Sequence, residues 1–169
     1  MLWIFTFCAI IFFNRFIPIL MGGFKMYKVN REKIDEILLY MENILNDIQP
    51  IINTSWEEIK QDKIKGLAFE RAMHIIIESI VDVGNYIIDG FIMRDPGSYI
   101  DIIQILEDEQ VIPSENAKSL KRIIDFRKSL VHNYTEINSE ELFYLFKNES
   151  TSLFEYGYKV RQYLEKELD

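Results

Sequence analysis

From Arg31 onward the apolar residues recur at intervals of three and four, the period of a helix with one buried face. Ile34, Ile37, Leu38, Met41 and Leu45 form one such stripe, and Asn30 stands where a side-chain oxygen caps a first turn. The pattern predicts a helix from Arg31 to about Asn46. Thr54-Ser-Trp-Glu57 has capping-box spacing and predicts a short helix. A long helix follows, from about Lys63 to Ile92. Arg94-Asp-Pro-Gly97 predicts a turn, after which Ser98 caps a helix to Glu109. Pro113-Ser114 opens the next helix, and Asn138-Ser139-Glu-Glu141 opens a last one that ends near Glu167. No segment reads as a strand. The expected fold is all-α, an up-and-down bundle of four main helices plus short ones.

The long helix is apolar nearly all round, which predicts a central position. It still carries one polar stripe. At about 100° per residue, Arg71, His74, Glu78, Asp82 and Asn85 fall within roughly 80° of one another. Polar groups on a central helix need partners. Two roles fit the stripe. One is a structural network in which Arg71 and Glu78 pair through His74. The other is a contribution to an active site or a dimer interface.

The first 25 residues break the pattern. Met1 to Lys25 is mostly apolar and aromatic and holds no acidic residue, whereas all 27 Asp and Glu follow it. A signal peptide requires a basic start, and Met-Leu-Trp-Ile-Phe has none. A membrane span requires about 20 unbroken apolar residues, and Asn14-Arg15 and Pro18 interrupt this one. Met21-Gly-Gly-Phe-Lys-Met26 can be encoded by a purine-rich ribosome-binding sequence followed by a start codon. Residues 1–25 are therefore expected to be an upstream extension from an early-assigned start, with a membrane anchor as the alternative. Residues 26–169 form the folded helical domain. Translation from Met26 implies a cytoplasmic protein, and the anchor reading implies a membrane-attached one.

Composition narrows the chemistry. With 49% apolar and 27% charged residues the chain has an ordinary globular balance, and 169 residues suit one core. One cysteine excludes an internal disulfide, and with two histidines it cannot build a zinc cluster. No cofactor or metal is called for. The net charge of −8 means that any nucleic-acid contact must be a local basic patch. Lys118, Lys121, Arg122, Arg127 and Lys128 supply one.

That patch runs into Arg127-Lys-Ser-Leu-Val-His-Asn-Tyr134, which spaces an arginine, a histidine and a tyrosine as R-x-x-x-x-H-x-Y. Imidazole exchanges a proton near neutral pH, and guanidinium grips phosphate oxygens while keeping its charge. The two are the minimum equipment for metal-free attack of a ribose 2′-hydroxyl on its own phosphodiester. On a straight helix Arg127 and Tyr134 lie about 20° apart, but His132 is about 140° from Arg127. Either the helix unwinds around His132-Asn133, or the pair meets across a symmetric interface. Asn133 tolerates the left-handed conformation that ends many helices. The bland alternative is a surface salt bridge at Arg127 and a helix cap at His132.

With its surroundings, the octet resembles the HepT-like toxins of the HEPN superfamily, small all-helical ribonucleases. The resemblance spans about residues 26–168. It includes Phe69 to Asn85 as the central helix, Asp95-Pro-Gly-Ser-Tyr99 as the turn, Val111-Ile112, and Leu130-Val-His-Asn-Tyr134. Many members carry Asn after the motif arginine, where this chain has Lys128, a departure that bears on substrate preference. The resemblance implies that Arg127 and His132 are catalytic. Lys128 and the 71–85 stripe would bind substrate or support the site. It further implies a homodimer with RNA between the protomers. The implied partner is an MntA-like nucleotidyltransferase antitoxin that transfers AMP onto Tyr134.

Three rival classes remain. A HEPN module that binds nucleotide or RNA without cutting it is one. A di-iron carboxylate bundle needs Glu-x-x-His pairs, but Arg71 and Ser129 stand three residues before the histidines. A structural or membrane-anchored helical protein leaves the octet unexplained.

Overall fold

The computed structural model describes residues 28–168, and the expectations for residues 1–25 lie outside them. Seven helices follow in order: α1 (Arg31–Ile52), α2 (Trp56–Gln61), α3 (Lys63–Phe91), α4 (Tyr99–Asp108), α5 (Ser114–Asp125), α6 (Arg127–Val131) and α7 (Ser139–Leu168). No strand occurs among the described residues. The fold is the expected all-α bundle, with α3 as its axis. α3 packs against α1, α2, α4 and α6, while α7 closes the far side against α1 and α5.

Local chemistry sets most boundaries. Asn30 caps α1 by accepting from the Lys33 amide, Asp62 caps α3, Ser98 caps α4, and Asn138 accepts from the Glu141 amide at the start of α7. The short helix starts one residue later than its sequence suggested. Ser55, not Thr54, accepts from the Glu58 amide at 3.3 Å, and Thr54 Oγ1 instead donates to the Ile51 carbonyl. α1 also outruns its predicted end. Buried Ile48 and Ile52 continue the stripe of Ile34, Leu38, Met41 and Leu45, and this packing carries the helix through Pro50 in its last turn.

The core is aliphatic around a small aromatic cluster. Phe69 meets Phe143 and Phe146 edge to face at 5.8 and 6.2 Å. Tyr156 is fully buried, and its hydroxyl donates to the Ile80 carbonyl at 3.1 Å. Burial pushes that phenol well above its ordinary pKa. Each fully buried aliphatic or aromatic side chain contributes about 1.5–3 kcal/mol of transfer free energy. At the α3–α4 crossing Gly84 is required by proximity, since a Cβ there would run into Ile102 Cγ2. That close approach brings the first turn of α4 down beside the polar stripe of α3. No helix among the described residues is long and apolar enough to cross a membrane.

Candidate active site

The octet does not continue α5 as a straight helix. α5 stops at Asp125, Phe126 forms a turn, and α6 contains only five residues. Buried Leu130 anchors this short helix to the core. It ends at Val131, with His132 as the C-cap. The amides of His132 and Asn133 both donate to the Lys128 carbonyl, at 2.9 and 3.3 Å. The helix thus unwinds at His132-Asn133, one of the two outcomes the octet allowed. Asn133 is not left-handed, however. Among the described residues only Ile92 and Gln110 have positive φ without being glycine. His132 itself sits at φ −108°, ψ −34°, so the helix frays without reversing its hand.

Unwinding puts both candidate groups in one groove. Arg127, Lys128 and His132 line it together with Ser98, Tyr99, Ile100, Ile124 and Asp125, around a volume of about 310 Å³. Larger grooves lie between the α4–α5 loop and α7, at about 630 Å³, and near the start of α7, at about 550 Å³. Neither holds a histidine. The smaller groove is the candidate because it alone of these three combines a proton carrier with a phosphate clamp.

Arg127 is held from two sides. Its Nη2 donates to Glu78 Oε2 at 3.2 Å, and its Nε lies 2.8 Å from Glu78 Oε1. Those last two atoms are buried and too poorly aligned for a directed hydrogen bond, so this part of the pair is coulombic. The guanidinium carbon lies 3.8 Å from the centre of the Tyr99 ring, a cation–π contact. Only 15% of the arginine side chain is exposed.

Glu78 belongs to the polar stripe, and the stripe is one chain of contacts. Arg71 Nη1 lies 3.0 Å from His74 Nδ1. Arginine only donates, so Nδ1 accepts and the ring proton sits on Nε2. That nitrogen lies 3.5 Å from Glu78 Oε1. Arg71 and Glu78 thus lie against opposite sides of His74, and Glu78 reaches on to Arg127. Asp82 is exposed on the same face. Partial desolvation, then the Glu78 charge, push its carboxyl above the ordinary range, against the pull of Arg127 and Lys33. Half-buried Asn85 lies one turn further and does not join the chain. A second groove of about 300 Å³ runs along this stripe and is lined by Arg71, Glu78, Asp82, Lys33 and Tyr40 among others. The Glu78–Arg127 pair links the two grooves.

Two sequence expectations change. Tyr134 does not share a helical face with Arg127, because α6 ends three residues before it; it is 70% exposed in the following loop and does not line the groove. The basic patch is also smaller than five residues. Lys121 pairs with Glu107 at 2.7 Å and Arg122 with Glu149 at 2.5 Å, which leaves exposed Lys118 and Lys128 without an ion pair among the described residues. Sequence reasoning missed Tyr99, since nothing local says that the first residue of α4 will meet an arginine 28 positions on. No cluster of His, Cys, Asp and Glu that could hold a metal occurs among the described residues.

Residues 41–160 match the family described as ribonuclease HepT-like. The chain belongs to that family. "Putative RNase YutE" of Bacillus subtilis is 45% identical over 145 residues, which cover 85% of this chain and 95% of the relative. The structure of YutE, described as a cytosolic protein of unknown function, superimposes with a TM-score of 0.76 over 85% of this chain and 96% of that one, at 43% identity. A tri-AMPylated HEPN toxin of Shewanella oneidensis, in complex with an MNT antitoxin, shares the fold with a TM-score of 0.68. The overlap covers 76% of this chain and 96% of that one at 18% identity. A toxin–antitoxin structure containing AMP-PNP gives a TM-score of 0.66 at 17% identity, over 75% of this chain and 96% of that one. This HepT-like chain therefore has a ribonuclease family and a HEPN-toxin fold behind its groove.

Proposed function

We propose that this HepT-like chain is a metal-independent endoribonuclease toxin of a HepT/MntA-type pair, with Arg127 and His132 as its catalytic groups. The observation that carries the reading is the convergence of Arg127, Lys128 and His132 on one groove. Lys128 attracts the RNA backbone. Arg127 binds non-bridging oxygens of the scissile phosphate and stabilises the charge that grows on the pentacovalent transition state. The 2′-oxygen attacks phosphorus, its proton passes to an imidazole, and the bond to the 5′-oxygen breaks as that oxygen takes up a proton. The products are a 2′,3′-cyclic phosphate and a 5′-hydroxyl. The reaction uses one base and one acid, while each chain brings one histidine to the groove. A homodimer that faces two octets across a two-fold axis supplies both.

Silencing follows from Tyr134. Its exposure leaves the hydroxyl open to a nucleotidyltransferase of MntA type. An attached AMP adds a phosphate that competes for Arg127 and Lys128, and an adenine that fills the approach to the groove. The tri-AMPylated neighbour supports this reading by analogy of fold.

Purified wild type should cleave single-stranded RNA in the presence of a chelator, and Arg127→Ala and His132→Ala should each abolish cleavage while remaining helical. Retained cleavage by His132→Ala, above an Arg127→Ala/His132→Ala control, would overturn the mechanism. The alternative is a non-catalytic HEPN partner of a nucleotidyltransferase. The observation in its favour is that Glu78 already occupies one edge of a mostly buried Arg127. RNA binding without cleavage by the wild type would establish that alternative.

A further inference from the structure

We propose that Tyr99 and Glu78 are positioning residues for Arg127, one holding the guanidinium by its face and the other by its edge. This deepens the nuclease reading above and rests on it. An arginine has a long stem with about 2 kcal/mol of rotamer entropy, so a phosphate clamp works only when something fixes it. α6 cannot do this alone, since it is a five-residue helix with a frayed end.

The support under the ring is rigid. Ser98 Oγ accepts from the Asp101 amide at 3.1 Å and fixes the first turn of α4. Arg94 grips both carboxylate oxygens of Asp101, at 2.8 and 2.7 Å, and the Gly97 amide donates to Asp101 Oδ2 at 2.8 Å. The whole turn from Arg94 to Ser98 is thereby tied to α4, with Tyr99 as its first residue. The ring is still 45% exposed, so core packing does not account for its place. Its contact with Arg127 does.

The edge is held with equal care. Glu78 takes the side of the guanidinium formed by Nε and Nη2. His74 Nε2 lies 3.5 Å from the carboxylate, and Arg71 contacts the other ring nitrogen of His74 at 3.0 Å. A planar guanidinium held along one edge and over one face keeps the far edge, with Nη1, for a ligand. Among the described residues Nη1 donates to none. The pair is electrically neutral, so Glu78 aims Arg127 at the expense of some attraction for RNA.

That trade makes an unusual prediction. Glu78→Gln should lower kcat by about 10-fold or more, while KM stays level or falls, because the local charge becomes one unit more positive. Tyr99→Leu should lower kcat by about 10-fold, the scale of a partly exposed cation–π contact, with KM within about 3-fold. Tyr99→Phe keeps the ring and should restore turnover to within about 3-fold of wild type.

The experiment uses the full chain and a labelled single-stranded oligoribonucleotide. It measures kcat and KM, binding of a 2′-O-methyl analogue, and thermal melting for wild type, Glu78→Gln, Tyr99→Leu and Tyr99→Phe. Wild-type rates in Glu78→Gln and Tyr99→Leu overturn the proposal and leave the nuclease reading standing. Equal losses in Tyr99→Phe and Tyr99→Leu, or losses that appear in KM and analogue binding alone, also overturn it. Wild type that shows no cleavage dependent on Arg127 and His132 sinks the nuclease reading and this proposal together.

Discussion

Two arginines of this bundle look alike in sequence and do opposite work. Arg161 on α7 reaches α1 and satisfies all three of its nitrogens there. Nε donates to Asp35 at 3.2 Å, and Nη1 and Nη2 donate to Glu42 at 2.6 and 3.2 Å. Gly157 leaves room for that carboxylate, since a Cβ would collide with Glu42 Oε1. Arg127 has one carboxylate, a misaligned Nε, an aromatic ring against its face and a groove beside it. The saturated arginine joins two helices. The unsaturated one keeps donors in reserve, which is the physical requirement for binding a ligand. Counting ion pairs would not separate the two; counting what remains unsatisfied does.

The largest test of the contrast is a lysine swap. Lysine keeps the charge and loses the planar fork and the stacking. Arg127→Lys should reduce RNA cleavage by about 100-fold or more, in the range seen when one preorganised donor is removed from a charge-stabilising site. Arg161→Lys should cleave like wild type in the same assay. Equal cleavage by both variants would erase the distinction.

A smaller effect should run the other way in stability. Arg161→Ala leaves Glu42 and Asp35 facing each other without their shared partner, and should cost about 1–2 kcal/mol in chemical denaturation. Cleavage by the folded fraction should be unchanged. Arg127→Ala should cost less, because it leaves one carboxylate rather than two without its partner. A larger stability loss at Arg127 than at Arg161 would make Arg127 the structural residue.

The smallest effect is in the pH dependence of melting, where two aspartates differ in sign, Asp82 within the field of Arg127 and Asp101 in the turn that carries Tyr99. The Arg94 hydrogen bonds, then the Gly97 amide, hold the Asp101 carboxyl at about 2. Its contribution is present above the ordinary aspartate range of about 4 and is lost as pH falls through about 2. Asp101→Asn should therefore melt below wild type at pH 7, with the gap closing between about pH 4 and about pH 2. Asp82 is pushed up instead, so its ionised form is disfavoured in the fold and that penalty disappears as pH falls through the raised value. Asp82→Asn should melt at or above wild type at pH 7. A drop there would mean that the Asp82 charge is used by Arg127 or Lys33 rather than tolerated.

Much of the fold was legible because it is local. Asn30, Ser98 and Asn138 stand at helix starts for reasons contained within four residues of chain. The errors were local too. Thr54 and Ser55 offer the same hydroxyl, and only the path of the chain after Pro50 chooses between them. The candidate site was legible as a set of residue types. The octet named Arg127 and His132, and the stripe named Glu78, but nothing in either spacing joins them. Tyr134 shows the limit from the other side, since helical geometry placed it on the face of Arg127 and α6 ends before reaching it.

The sequence by itself determined where helices begin, which faces are apolar, and that an arginine, a histidine and a tyrosine sit within eight residues. Those properties depend on hydrogen bonds and side-chain periods spanning a few residues. Only the tertiary structure decided that Arg127 meets a glutamate 49 positions away on α3 and a ring on α4. Such partners are set by how closely helices approach, and Gly84 admits α4 to the surface of α3 for reasons of volume that no local pattern records.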